Sequence, residues 1–287
     1  MNDVTAGKNG RLRFITYLAP SVPVEYFETV MQYLEEKLNK DAYLIYESRW
    51  SGPPLDRIDP FTRDEVDIGF LCSTAFMKLL RDKKAPVELL QAGPVYMHPR
   101  AQNRPVYFAD LIVHADNKER FKEFVNLRGC KWVYNDPHSL SGCYAMLRTL
   151  KQMGENTSFF GHVLQSGSHL KSIKLILDQT VETAIIDSNC LAFQMKDNPE
   201  VARNIHVLTS FGPLPIYPIA VNARMPEHEK EQICSALLQM HTDVNWQKEL
   251  NKHLVSKFVE VSLDNYKMED DLRNAVSGVH LDDNIYY

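Results

Sequence analysis

From residue 11 to residue 222 the chain alternates between short β-branched or aromatic runs and segments whose apolar residues recur at helical spacing. Residues 11–18 (RLRFITYL) read as a strand. After a Pro/Ser break, Phe27, Val30, Met31, Leu34 and Leu38 fall at i, i+3, i+4, i+7 and i+11, which predicts a helix over 24–38 with one buried face. Residues 42–46 read as the next strand, 64–80 as strand, cap and helix, and 87–92 as another strand. Strands that alternate with helices in this way favour a mainly parallel sheet covered by helices.

The run 105–114 (PVYFADLIVH) leads out of this first unit and a second β/α series begins. Strands are predicted at 131–134, 161–165, 183–187 and 205–211, with helices at 143–153, 170–178 and 188–196. Gly212-Pro213-Leu214-Pro215 should break the last strand, after which 216–222 starts another and 227–240 forms a helix. The economical architecture is an α/β chain of two lobes, each a mainly parallel sheet flanked by helices. Lobe 1 is discontinuous, residues 11–105 plus 215–275; lobe 2 is 106–214; residues 276–287 form a polar C-terminal tail. Two crossing segments, near 104–110 and 209–217, join the lobes, with Tyr107 and the 212–215 segment absorbing any hinge rotation. A ligand is expected between the lobes, outside the carboxyl ends of the strands.

Composition narrows the function. With 287 residues, 44% hydrophobic and 24% charged, the chain can bury a sizeable core. A formal net charge of −5 supplies no global field for phosphodiester backbone, so nucleic acid is not an expected partner. No run approaches a membrane span, and residues 1–10 lack the apolar region of a secretory signal. The chain as given therefore reads as cytoplasmic, or as periplasmic or extracellular if a signal has been trimmed. Five cysteines, an odd number without CxxC spacing, fit free thiols better than a disulfide framework or a zinc ribbon. Neither cofactor motif nor metal signature is present, so no cofactor is expected.

Three strand-to-helix junctions place small hydroxyl residues at a helix start: Cys72-Ser73-Thr74, Ser139-Leu140-Ser141-Gly142 and Ser166-Gly167-Ser168-His169. Free N–H groups and the positive end of the helix dipole make such starts anion sites, and hydroxyls add neutral donors. Each is equally an ordinary N-cap worth about 1 kcal/mol. His169 offers a cationic or neutral donor, or is simply a surface histidine. Asp187 closes a strand and either faces a ligand or caps the helix from Ser188. Trp50, in a loop, and Tyr107, in the first crossing, either wall a pocket or pack between lobes. Cys143, His169 and Asp187 also stand in the order of a nucleophilic set, with Cys143 in a first helical turn where its pKa would fall.

The runs KWVYNDPHSLSGCYAML, FFGHVLQSGSHLKSIKLIL and ETAIIDSNCL resemble the phosphate/phosphite/phosphonate-binding family of solute receptors of ABC transporters. The resemblance extends from Arg11 to about Asn274. It implies the type-2 periplasmic-binding-protein fold and a small phosphorus oxyanion held between hinged lobes without chemical turnover. It implies ligand contacts from Ser139, Ser141 and the backbone around Leu140, from His169 and, less directly, from Trp50 and Tyr107. An exported member would deliver its ligand to an ABC permease. Leu140 stands where family members often carry another residue, so one side-chain donor is expected to be missing. A related fold serves in thiamine-pyrimidine synthesis, which keeps open an intracellular enzyme that uses Cys143 or His169. A scaffold whose cleft has decayed is the third reading.

Overall fold

The computed structural model describes residues 10–54, 56–82, 85–278 and 281. Residues 1–9 and most of the tail expected at 276–287 lie outside them. In chain order the elements are β1 (Arg11–Tyr17), α1 (Val24–Leu38), β2 (Asp41–Glu47), β3 (Ile68–Phe70), α2 (Ser73–Arg81), β4 (Val87–Leu89) and β5 (Ala92–Tyr96). Then follow β6 (Val106–His114), β7 (Lys131–Tyr134), α3 (Ala145–Gln152), β8 (His162–Gln165), α4 (His169–Leu177), β9 (Thr183–Asp187), α5 (Ser188–Asp197), α6 (Pro199–Asn204) and β10 (Ile205–Pro215). The chain closes with β11 (Ile219–Asn222), α7 (Glu227–Gln239), α8 (Val244–Lys252), β12 (Val255–Glu260) and α9 (Lys267–Ala275).

The chain divides into two compact units. The first holds residues up to Met97, 103–105 and 216–263; the second holds 98–102, 106–215 and the chain from Asp264. In the first, a five-stranded sheet runs β2-β1-β3-β11-β4, and β5 pairs separately with β12. In the second, the order is β10-β6-β9-β7-β8. Each sheet has a parallel set and one reversed strand. β11 is antiparallel to both β3 and β4, and β6 is antiparallel to both β9 and β10. The parallel partners are β1 with β2 and β3, and β7 with β8 and β9.

Burial follows the pattern expected of such sheets. β9, a central strand, is buried at all five positions, as strands covered on both faces are. Around it Ile112, Val133, Ile173, Ile176, Ala184, Ile186 and Leu191 form one core of the second unit. α1 buries Phe27, Val30 and Leu34, the face its periodicity marks. It stops at Asn39, which takes the left-handed conformation at φ 49°.

Four expectations need correction. Residues 87–92 are not one strand: Leu90 donates its N–H to Ile219 and the chain then turns, so that β4 and β5 serve different sheets. The 212–215 segment does not end its strand. β10 continues through it at a sheet edge, with a register shift between Phe211 and Leu214 where the missing N–H of Pro213 interrupts no regular ladder. The helix expected from Cys143 starts earlier, as a π-helical turn over Leu140–Tyr144 that runs into α3. The C-terminal return to the first unit ends at Leu263, and α9 packs instead against β10, α3 and the π-helical turn of the second unit.

Candidate functional site

In the second unit the parallel strands β7, β8 and β9 finish at one edge of the sheet, with Tyr134 level with Gln165. The chain leaving β7 makes a tight turn in which Asp136 accepts the N–H of His138 through its side chain (2.8 Å) and that of Ser139 through its carbonyl (3.1 Å). Ser139 is the N-cap, and its Oγ accepts the Gly142 N–H at 2.9 Å. The N–H groups of Cys143 and Tyr144 both reach the Ser139 carbonyl, at 3.1 and 3.0 Å. The N–H groups of Leu140 and Ser141 have no partner among the described residues, and neither has the Ser141 hydroxyl. These are the orphan donors of a helix start, at its positive end. The Leu140 side chain is only 3% exposed, so this residue contributes packing and a backbone N–H.

The next junction carries His169. Ser166 is fully engaged, with its Oγ bonded to Ser172 Oγ (2.7 Å), the Ser168 carbonyl (2.9 Å) and the Tyr134 carbonyl (3.2 Å). Gly167, at φ +90°, donates its N–H to the Asn135 carbonyl at 3.0 Å, which fixes this turn to the end of β7. Ser168 caps α4 through the Lys171 N–H (3.2 Å), and His169 is its first residue. His169 is buried, not a surface histidine, and desolvation lowers its pKa to about 3. The imidazole is therefore neutral near physiological pH, and the cationic alternative falls away.

Asn135, unmarked as a site residue in the sequence reading, lies between these two turns. Its amide oxygen occupies the space a Cβ on Gly142 would need, and the same Cβ would stand 2.6 Å from Asn135 Cγ and 3.0 Å from His169 Cε1. The signal in the sequence was a polar residue closing a strand next to a small-residue turn. No periodicity marks it.

Asp187 acts as a helix cap: its Oδ1 accepts the N–H groups of Asn189 (2.9 Å) and Cys190 (3.2 Å). Ser188 Oγ accepts the Phe108 N–H at 3.0 Å and so ties β6 to α5. Tyr107, also buried, pairs with Leu214 near the start of β6, at the edge where Ala109 faces Asp187. The nucleophilic set is not assembled. Cys143 is fully buried, and burial, followed by the charge of Asp136, pushes its thiol above the ordinary value instead of lowering it. No hydrogen bond joins it to His169.

In the first unit, Trp50 is 41% exposed in the loop after β2, and its carbonyl accepts the Leu18 N–H at 2.8 Å. The loop rests on the first turn of α2, since a Cβ on Gly52 would stand 2.7 Å from that of Ala75. Ser73 is buried in that turn, Thr74 follows it, and no side chain caps α2. The contact shown is between Gly52 of the loop and Ala75 of the turn. A cavity of about 730 Å³ opens elsewhere in this unit, lined by Arg11, Arg13, Asp67, Asn222 and Arg224 near the start of β1. Trp50, Ser73 and Thr74 do not line it, and Arg13 is ion-paired there with Asp67 at 2.7 Å.

Comparison with known proteins adds the family. Residues 13–266 match the family described as "ABC transporter, phosphonate, periplasmic substrate-binding protein". No curated protein matches the chain in sequence. Among solved structures it is similar to a binding-protein component of an ABC phosphonate transporter from Pseudomonas aeruginosa, at 18% identity and TM-score 0.75, over 92% of this chain and 85% of that one. It is also similar to PhnD1 of Prochlorococcus marinus in complex with methylphosphonate, at 14% identity and TM-score 0.72, over 92% and 97%. A Xanthomonas citri protein bound to ATP follows, at 14% identity and TM-score 0.64, over 94% and 98%. At these identities the structural likenesses speak for the fold. No helix among the described residues is long and apolar enough to cross a membrane.

Proposed function

The chain belongs to the phosphonate family of periplasmic substrate-binding proteins of ABC transporters, and on that premise we propose that it captures a small phosphorus oxyanion, a phosphonate, phosphate or phosphite, without chemical turnover. The observation that carries this reading is the set of unpartnered donors on one turn: the N–H groups of Leu140 and Ser141 with the Ser141 hydroxyl. Neutral donors at a helix start hold an anion without a counter-charge. Ser139 shapes the turn and His169 sets a neutral ring beside it. Tyr107 and Asp187 support the same edge, as wall and as cap.

Trp50, Ser73 and Thr74 are the contributions of the first unit in this proposal, an aromatic wall and a second helix start. Closure of the two units on the ligand would bury these donors, and an anion that leaves them unpaired would be rejected. The receptor works with an ABC permease, on the outer side of the membrane that permease spans. The burial of Cys143 weighs against an enzyme built on that thiol.

Thermal unfolding in the presence of phosphate, phosphite, methylphosphonate, aminoethylphosphonate and sulfate tests this. A ligand at 100 times its dissociation constant adds about 2.7 kcal/mol. The expected result is a clear rise in melting temperature with at least one phosphorus oxyanion. No rise with any of them contradicts the proposal.

A further inference from the structure

Among the described residues every sheet edge except one is guarded against pairing with another chain. β4 and β8 are short, at three and four residues. β10 carries Pro213 and two register shifts, β5 carries Pro94, and β12 carries Lys257 at a register shift. Short strands, prolines, lysines and irregular ladders are the usual means of blunting an edge. β2 has none of them. It lies at the edge of the first unit's sheet and pairs with β1 over all seven of its residues, from Arg11 opposite Asp41 to Tyr17 opposite Glu47, without a shift. Its sequence, Asp41-Ala42-Tyr43-Leu44-Ile45-Tyr46-Glu47, is rich in β-branched and aromatic residues that favour strands. Tyr43, Ile45 and Tyr46 are 37%, 39% and 50% exposed. The backbone groups turned away from β1 belong to Ala42, Leu44 and Tyr46: Ala42 donates its N–H outward to Glu35 Oε1 at 3.1 Å, and alternate residues of a strand present their N–H and C=O to the same side. On that side the groups of Leu44 and Tyr46 meet no partner among the described residues.

We propose that β2 is a dimer interface: it pairs antiparallel with β2 of a second copy of this chain, about a two-fold axis through Leu44. At that register Leu44 exchanges both of its outward backbone bonds with its counterpart. The Tyr46 N–H reaches the Ala42 carbonyl of the other copy, while the Ala42 N–H stays with Glu35. On either side of the axis Tyr43 stands opposite Ile45 in a close, non-hydrogen-bonded pair, an aromatic against a β-branched residue. Charge also favours a second copy in this orientation. At the carboxyl end of β2, Glu47 is bonded to Arg57 at 2.8 Å and to Arg49 at 3.4 Å, a cluster with an excess of positive charge. At the amino end stands Asp41, and Lys40 beside it is held by Glu229 at 2.6 Å. Antiparallel pairing sets the arginine-bearing end of each strand against Asp41 of the second copy, whereas parallel pairing would set like ends together. A two-fold contact is closed, so it covers the edge without starting a fibre.

Sedimentation velocity of the whole unliganded protein across the micromolar range tests this. The expected species is a dimer in the wild type. Ile45→Lys, which puts a charge on the edge, and Tyr46→Pro, which removes an outward N–H that β1 does not use, should each weaken dimerisation by about tenfold or more while a cooperative thermal transition is kept. Arg57→Glu should weaken it as well, and Asp41→Arg combined with Arg57→Glu should restore it. A wild type that is monomeric throughout the range overturns the proposal, whatever other chain adds to the strand. A dimer that Ile45→Lys and Tyr46→Pro both leave intact overturns it too, because the contact then lies on another face. Should either of these variants fail to fold, the charge pair decides: weakening by Arg57→Glu with rescue in the double variant supports the antiparallel two-fold, and no rescue contradicts it. None of these readouts depends on the ligand.

Discussion

Asn135 and Gly142, seven positions apart in sequence, fill one space: the amide of the first lies where the second would carry a side chain. Gly142→Ala should therefore push Asn135 out of place and deform the turn that holds the free N–H groups. Overpacking of this kind costs about 1–3 kcal/mol. The expected outcome is a lower melting temperature together with phosphonate binding weakened by about tenfold or more. Unchanged values for both would show that the turn has room that the packing denies.

The two serines of this turn should separate in their effects. Ser139→Ala removes the cap on Gly142 and should cost about 1 kcal/mol of stability as well as binding. Ser141 bonds to no described residue through its hydroxyl, so Ser141→Ala should leave the melting temperature of the unliganded protein within about 1 °C while it weakens the ligand by about 1.5–3 kcal/mol. Paired thermal scans with and without methylphosphonate check this.

Thiol chemistry should follow burial. Cys130, Cys143 and Cys190 are buried while Cys72 and Cys234 are partly exposed. Burial raises the pKa of Cys143 and Cys190 above the ordinary thiol value. A chromogenic disulfide reagent should titrate Cys72 and Cys234 in the native protein and the other three only after denaturation. Fast reaction at Cys143, protected by ligand, would reopen the enzyme reading.

Acid should destabilise the fold partly through His169. Its pKa is lowered from 6.5 to about 3, so between those values the unfolded chain binds a proton that the folded one refuses. Stability supplied by the neutral ring is complete above about pH 6.5 and is lost as pH falls toward 3, at up to about 1.4 kcal/mol per pH unit. Asp110 acts in the opposite sense, because burial raises its pKa against the hydrogen bond from Ser210 and the charges of His98 and Arg100. The comparison that isolates the histidine is wild type against His169→Gln in chemical denaturation from pH 7 to pH 4. The variant should lose less stability over that range; parallel curves would contradict it.

Periodicity made the α/β alternation legible, and with it the hydroxyl-rich helix starts, because apolar spacing reports which face of an element is buried. Where β10 passes through Gly212-Pro213 the same reasoning misleads, since local breakers are tolerated at a sheet edge with an irregular ladder. The sequence of α9 does not say which unit it joins, because a short amphipathic pattern says that a face is buried and not against what. Asp187 illustrates the limit at the site: a carboxylate at a strand end serves a cap as readily as a ligand, and only the distances to the Asn189 and Cys190 N–H groups distinguish the two. Asn135 escaped notice for a related reason. Its part depends on a space left by Gly142 and on the nearness of His169, relations across the fold that no local pattern encodes.

The central claim is that the turn from Ser139 to Gly142 binds a phosphorus oxyanion through neutral donors. Calorimetric titration of methylphosphonate into wild type and Ser141→Ala tests it most directly. The account predicts saturable one-to-one binding to the wild type, weakened by about tenfold or more in the variant. Absence of binding to the wild type, or equal affinity in both proteins, would contradict it.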